Sequence, residues 1–127
     1  MDKATTKELL KFILESIALI KRRFKNIKSS DDFLNNDEGL DRLDAISMRL
    51  QAIGEALKNI DKRDRDFLLL VATKSYWSQI IKTREILTHH YIDIDSEIIF
   101  IICEDKIEEL EGYVLRLSEL VDEYKGR

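Results

Sequence analysis

Residues 10–28, LKFILESIALIKRRFKNIK, decide the fold of this chain. Leu10, Ile13, Ile17, Ile20, Phe24 and Ile27 recur at steps of three, four, three, four and three, the seam of an amphipathic helix. Lys21, Arg22, Arg23, Lys25 and Lys28 cover its other face. Upstream, Thr5 and Glu8 have the spacing of a capping box, so a helix is predicted over about residues 6–28. The same steps recur in Leu43, Ile46, Leu50, Ile53, Leu57 and Ile60, which predicts a second long helix over about 38–60. Two such seams imply antiparallel packing at shallow angles.

The pattern breaks at Ser29-Ser30-Asp31-Asp32 and at Asn35-Asn36-Asp37-Glu38-Gly39, with Phe33 and Leu34 as an apolar plug in a connection that holds at most one helical turn. Asp61 to Asp66 reads as a turn or helix start, and Phe67 to Ala72 as a short helix. From Ser75, taken as an N-cap, Trp77, Ile80, Ile81, Arg84, Leu87 and Tyr91 outline a third long helix to about residue 90. Residues 92–96 read as a loop in which Asp95 or Ser96 caps a last helix over about 96–124. The expectation is an all-α, up-and-down four-helix bundle with a short additional helix.

Composition agrees. Among 127 residues there are 4 glycines and no proline, too little turn material for a strand-rich fold, and the length suits one domain over 1–127. The single cysteine, Cys103, cannot form an internal disulfide and lies in an apolar run, which reads as core in a protein kept reduced. The start, MDKATTKELLKF, has no apolar core of a signal peptide, and the longest apolar runs, such as Ile98 to Cys103, fall short of the ~20 residues of a membrane span. A cytoplasmic protein without a membrane partner is expected.

The densest group of reactive side chains is Arg84-Glu85-Ile86-Leu87-Thr88-His89-His90-Tyr91, which holds both histidines of the chain. Arginine supplies a fixed positive charge, histidine moves protons near neutral pH, and tyrosine adds a hydroxyl. Those groups suit cleavage of RNA by its own 2′-hydroxyl, which needs a proton acceptor, a proton donor and charge on the phosphorane, but no metal. On a helix, His89 lies about 140° around from Arg84, so a second copy across a two-fold axis is the economical way to complete a site. The bland reading stays open: a His-His pair closing a helix and a half-buried tyrosine. A metal site from His89, His90, Asp93 and Asp95 lacks any recognised ligand spacing, and Trp77 reads as a core or interface anchor. No glycine-rich phosphate loop or GxSxG-like elbow is present in the sequence.

Arg84, His89 and Tyr91, spaced as Arg, four residues, His, one residue, Tyr, resemble the signature of the HepT-like branch of the HEPN superfamily, small helical ribonuclease toxins of bacteria and archaea. Ile53-Gly54-Glu55-Ala56 is similar to that family's Ile-Gly-Glu-Ala segment, and Trp77 and Asp95 stand where the family places such residues. The resemblance runs over about residues 8–120. It implies a HEPN bundle that dimerises so that Arg84 and His89 of both copies line one metal-independent RNase cleft. It also implies a minimal nucleotidyltransferase antitoxin that can transfer AMP to Tyr91, placing bulky negative charge beside the cleft. No cofactor is implied. His89 matches both spacings and takes the catalytic role, with His90 in support. Where the family has asparagine or another small polar residue after the arginine, this chain has Glu85, a carboxylate able to pair with Arg84. That departure sustains a rival expectation, a non-catalytic helical protein that binds the nucleotidyltransferase or presents a residue to it.

The net charge of −4 hides a division. Residues 1–92 hold 17 basic and 14 acidic side chains, residues 93–127 hold 4 and 11. The candidate site lies in the mildly basic part, so the total is a poor argument against RNA, although it predicts a local cleft rather than a broad cationic surface.

Overall fold

The computed structural model describes residues 3–89 and 95–124. The protein is an all-α bundle. Helix α1 covers Lys3–Phe24 and α2 Asp37–Arg63, joined through a 3-10 turn at Ser30–Phe33. A short α3, Arg65–Leu68, leads into α4, Lys74–His89. The last long element is α5, Ser96–Ile101, a π-helical turn at Ile102–Lys106, and α6, Ile107–Leu120, in unbroken succession.

The three-and-four seams become the core. Leu10, Ile13, Ile17 and Ile20 of α1 pack with Ile46, Ile53, Leu57 and Ile60 of α2 and with Ile99, Val114 and Leu117 from the last element, all buried. Polar pairs fix the direction of packing. Arg42 donates to the Arg23 carbonyl at 3.0 Å and Arg49 to Ser16 Oγ at 3.4 Å, so α2 descends as α1 ascends. Lys21 meets Glu111 at 2.6 Å while Lys3 reaches the Asp122 carbonyl at 2.9 Å and Lys7 the Asp122 carboxylate, which sets α6 antiparallel to α1.

Several boundaries depart from the sequence reading. Helix α1 is already formed at Lys3, so Thr5 and Glu8 lie within it and do not cap its start; the contacts of Lys3 and Lys7 with Asp122 hold this first turn against the end of the bundle. It stops at Phe24, although Ile27 remains buried beyond it. Thr73, not Ser75, caps α4: its hydroxyl accepts from the Tyr76 amide at 3.1 Å. The plug is Phe33 alone, which is fully buried and lies 6.3 Å from Phe24, ring centre to ring centre, while Leu34 is exposed. Asp64 ends α2 and caps α3 through the Asp66 amide, and Asp95 caps α5 through the amides of Glu97 and Ile98. The loop read at residues 92–96 lies outside the described residues as far as Ile94. Among the described residues no helix is long and apolar enough to cross a membrane.

Candidate functional site

Helix α4 is pinned at two points on one face. Near its start Trp77 is buried, and its indole N–H donates to the Leu68 carbonyl at 2.8 Å. The rings of Trp77 and Tyr113 stand edge-on to Tyr76, at centroid distances of 5.0 and 4.9 Å. Near its end Leu87 is buried. Arg84 lies between these anchors, one turn before Leu87, on the flank that meets α2.

What α2 offers there is Gly54. A methyl-sized carbon built on Gly54 would stand 2.4 Å from Arg84 Cβ, 3.1 Å from Cγ and 3.4 Å from Cδ. The arginine stem therefore lies directly on the helix backbone, a contact that any side chain at position 54 would block. The guanidinium is then met by carboxylates from two helices. Glu55 Oε2, on α2, is 3.2 Å from Nη1, and Glu85 Oε1, on α4, is 3.7 Å from Nη2. The Arg84 side chain keeps only 17% of its surface exposed against 54% for each glutamate, and its Nε is buried with no hydrogen-bond partner among the described residues.

Of the residues expected in the site, the structure brings together Arg84 and Glu85. Helix α4 ends on His89, whose backbone lies about 140° around the helix axis from Arg84. His90 and Tyr91 lie outside the described residues. Of the four residues weighed as a metal set only Asp95 has a described side chain, and it caps α5. Glu55 is the participant that residue-by-residue reasoning passed over. It stands inside Ile-Gly-Glu-Ala, and only the register of α2 against α4 gives that segment its meaning.

Cys103 is buried at the π-helical turn, and burial pushes its thiol up to about 12. Burial, reinforced by Glu109 and Tyr113, also raises the Tyr76 hydroxyl far above the ordinary phenol value. Both groups are neutral at physiological pH and belong to the packing.

Comparison with known proteins bears on the Arg84 region. A family model described as ribonuclease HepT-like matches residues 13–117. The chain is 34% identical over 115 residues to a "putative RNase" of Caldanaerobacter subterraneus subsp. tengcongensis, covering 91% of this chain and 96% of that protein. It is 30% identical over 117 residues to a "gamma-glutamylcyclotransferase and putative RNase" of Methanocaldococcus jannaschii, covering 92% of this chain and 49% of that protein, about half its length. No solved structure matches the chain significantly. With the match spanning α1 to α6 and taking in both Ile53-Gly54-Glu55-Ala56 and Arg84, the chain belongs to the HepT-like ribonuclease family.

Proposed function

We propose that this protein is a metal-independent endoribonuclease, the toxin of a toxin–antitoxin pair, which acts as a homodimer with residues 1–127 as one domain. The observation that carries the reading is the seat of Arg84, whose guanidinium is held on the α2–α4 seam by Gly54 and Glu55. Membership of the HepT-like family, and the names of the two relatives, support RNA as substrate.

In this reading Arg84 binds the scissile phosphate and stabilises charge on the phosphorane. His89 and its counterpart in the second copy serve as general base and acid. The 2′-hydroxyl loses its proton to one imidazole and attacks phosphorus. The bond to the 5′-oxygen breaks as that oxygen takes a proton from the other imidazole, leaving a 2′,3′-cyclic phosphate and a 5′-hydroxyl. His90 supports the pair. Tyr91 is the residue to which a minimal nucleotidyltransferase antitoxin adds AMP in the cytoplasm, repelling RNA from the cleft.

Arg84→Ala and His89→Ala should each abolish cleavage of a short RNA and relieve growth inhibition while the protein stays folded and dimeric. Cleavage at the wild-type rate by either variant overturns the assignment. A second reading is favoured by one contact, the 3.7 Å approach of Glu85 to Arg84, which opposes phosphate binding. There the protein is a non-catalytic partner of the nucleotidyltransferase. RNA left intact at high protein concentration, together with AMP on Tyr91 after co-expression, would decide for it.

A further inference from the structure

We propose that Glu55 is the positioning residue for Arg84, fixing one edge of the guanidinium so that the other edge is presented to the RNA phosphate. The inference rests on the ribonuclease reading above. The two carboxylates beside Arg84 are not equivalent. Glu55 adjoins Gly54, so one peptide of α2 supplies both the surface under the arginine stem and the partner of Nη1 at 3.2 Å. Glu85 belongs to α4 itself and stands 3.7 Å from Nη2, outside hydrogen-bond range. A guanidinium is a planar fork, so holding Nη1 from α2 sets the direction in which the Nη2 hydrogens point. Among the described residues the Nη2 edge meets a half-exposed carboxylate on a rotatable stem, which a phosphate oxygen can displace.

Two further observations separate this pair from an ordinary surface ion pair. Arg84 is largely desolvated, with 17% of its side chain exposed, so the nearer of its described carboxylate partners, Glu55, governs where the charge sits. Its Nε is buried without an acceptor among the described residues, although buried donors are nearly always paired. A seat that leaves Nε unpaired is not optimised for holding the bundle together, whereas it does hold the Nη atoms at the α2–α4 surface. Preorganised charge is what a developing phosphorane requires, because no reorganisation is then needed during the reaction.

The test compares Glu55→Ala and Glu55→Gln with wild type in two assays. With a short single-stranded RNA, Glu55→Ala should lower kcat about 10–100-fold with KM changed less than about threefold, the sign of an interaction that matters in the transition state. Glu55→Gln, which keeps an oxygen for Nη1, should recover to within about fivefold of wild type. An unchanged kcat, a rise in kcat on removal of Glu55, or a glutamine variant as poor as the alanine variant overturns the proposal. In the second assay, nitrogen-15 NMR of the arginine side chains reads rotation of the Arg84 Nη groups without any need for activity. That rotation should be slow in wild type and Glu55→Gln and fast in Glu55→Ala; equal rotation in wild type and Glu55→Ala overturns the positioning role. Intact RNA with wild-type protein overturns the ribonuclease reading and the kinetic role together, and the NMR result then reports separately whether Glu55 holds Arg84.

Discussion

At the scale of single residues, what decides behaviour is the partner each ionisable group finds, and most partners lie far away in sequence. Glu85 could be read beside Arg84 because the two are adjacent, and the structure brings their charges to 3.7 Å. Glu55 is 29 positions from Arg84, and no local pattern joins them until α2 and α4 are in register. If Glu85 competes with phosphate for Nη2, Glu85→Asn should tighten RNA binding. Glu85 is half-exposed and its 3.7 Å approach is long, so the pair is worth up to about 1 kcal/mol and KM should fall about two- to fivefold. Measurement of KM on a short RNA checks this, and an unchanged or higher KM removes Glu85 as a competitor. Cys103, by contrast, was legible from its apolar neighbours alone. With its thiol raised from 9.0 to about 12, it should react with a thiol-specific disulfide reagent at pH 8 about a thousandfold more slowly than the same thiol in urea. The sign of the linked stability follows. Between pH 9 and 12 the unfolded thiol loses its proton while the folded one keeps it, so stability should fall by roughly 1 kcal/mol per pH unit in that window and be insensitive to this group below it. Urea denaturation at pH 8, 9.5 and 10.5 measures the slope in wild type and Cys103→Ser.

At the scale of elements, steps of three and four were enough to find α1 and α2, because burial of one face dominates helix placement. The ends were less legible, since they depend on contacts made elsewhere. Thr73 caps α4 in preference to Ser75, and α1 begins ahead of its apparent capping box because its first lysines reach Asp122. The π-helical turn at Ile102–Lys106 had no signal in the sequence, because the buried positions Ile99, Cys103, Ile107 and Leu110 run through it at ordinary helical steps. Glycines show the same limit, because composition counts them alike while the structure does not. At Gly54 a methyl group would strike Arg84 Cβ, which is tied to the α4 backbone and cannot swing aside. Gly54→Ala should therefore push α4 off α2 and cost about 1–3 kcal/mol, with Arg84 displaced and cleavage lost. At Gly112, in the middle of α6, nothing among the described residues lies within 4 Å of the added carbon, so Gly112→Ala should stabilise the protein by about 0.5–1 kcal/mol through helix propensity. Thermal unfolding of the two variants gives shifts of opposite sign; the same sign for both would mean that Gly54 does not limit the approach of α4.

For the whole molecule, the division of charge along the sequence is resolved by the topology. The basic α1 and the acidic α6 lie antiparallel, and Lys21 pairs with Glu111 and Lys7 with Asp122, so part of the positive excess is matched by acidic partners along the α1–α6 seam. Arg42 is likewise held by Glu38 at 2.6 Å. Arg84 itself stands between two carboxylates. A net charge of −4 with these pairings favours a local hold on RNA over a broad electrostatic grip. The number of phosphates engaged can be read from salt dependence. Each one neutralised on a single strand contributes about −0.7 to the slope of log K against log salt concentration. A dimer that presents Arg84 from each copy, with little else, should give a slope of about −1 to −2. Affinity for a labelled single-stranded RNA would then fall about four- to sixteenfold between 50 and 200 mM salt, far less than the loss of about 300-fold or more expected of a protein that grips six or more phosphates of a single strand. Arg84→Ala should flatten the slope by roughly one. Fluorescence anisotropy across that salt range measures both values. A slope steeper than about −4 that survives in Arg84→Ala would assign RNA binding to the lysines and arginines at the end of α1 and the turn after it, Arg22, Arg23, Lys25 and Lys28, and would place the recognition surface outside the Arg84 seat.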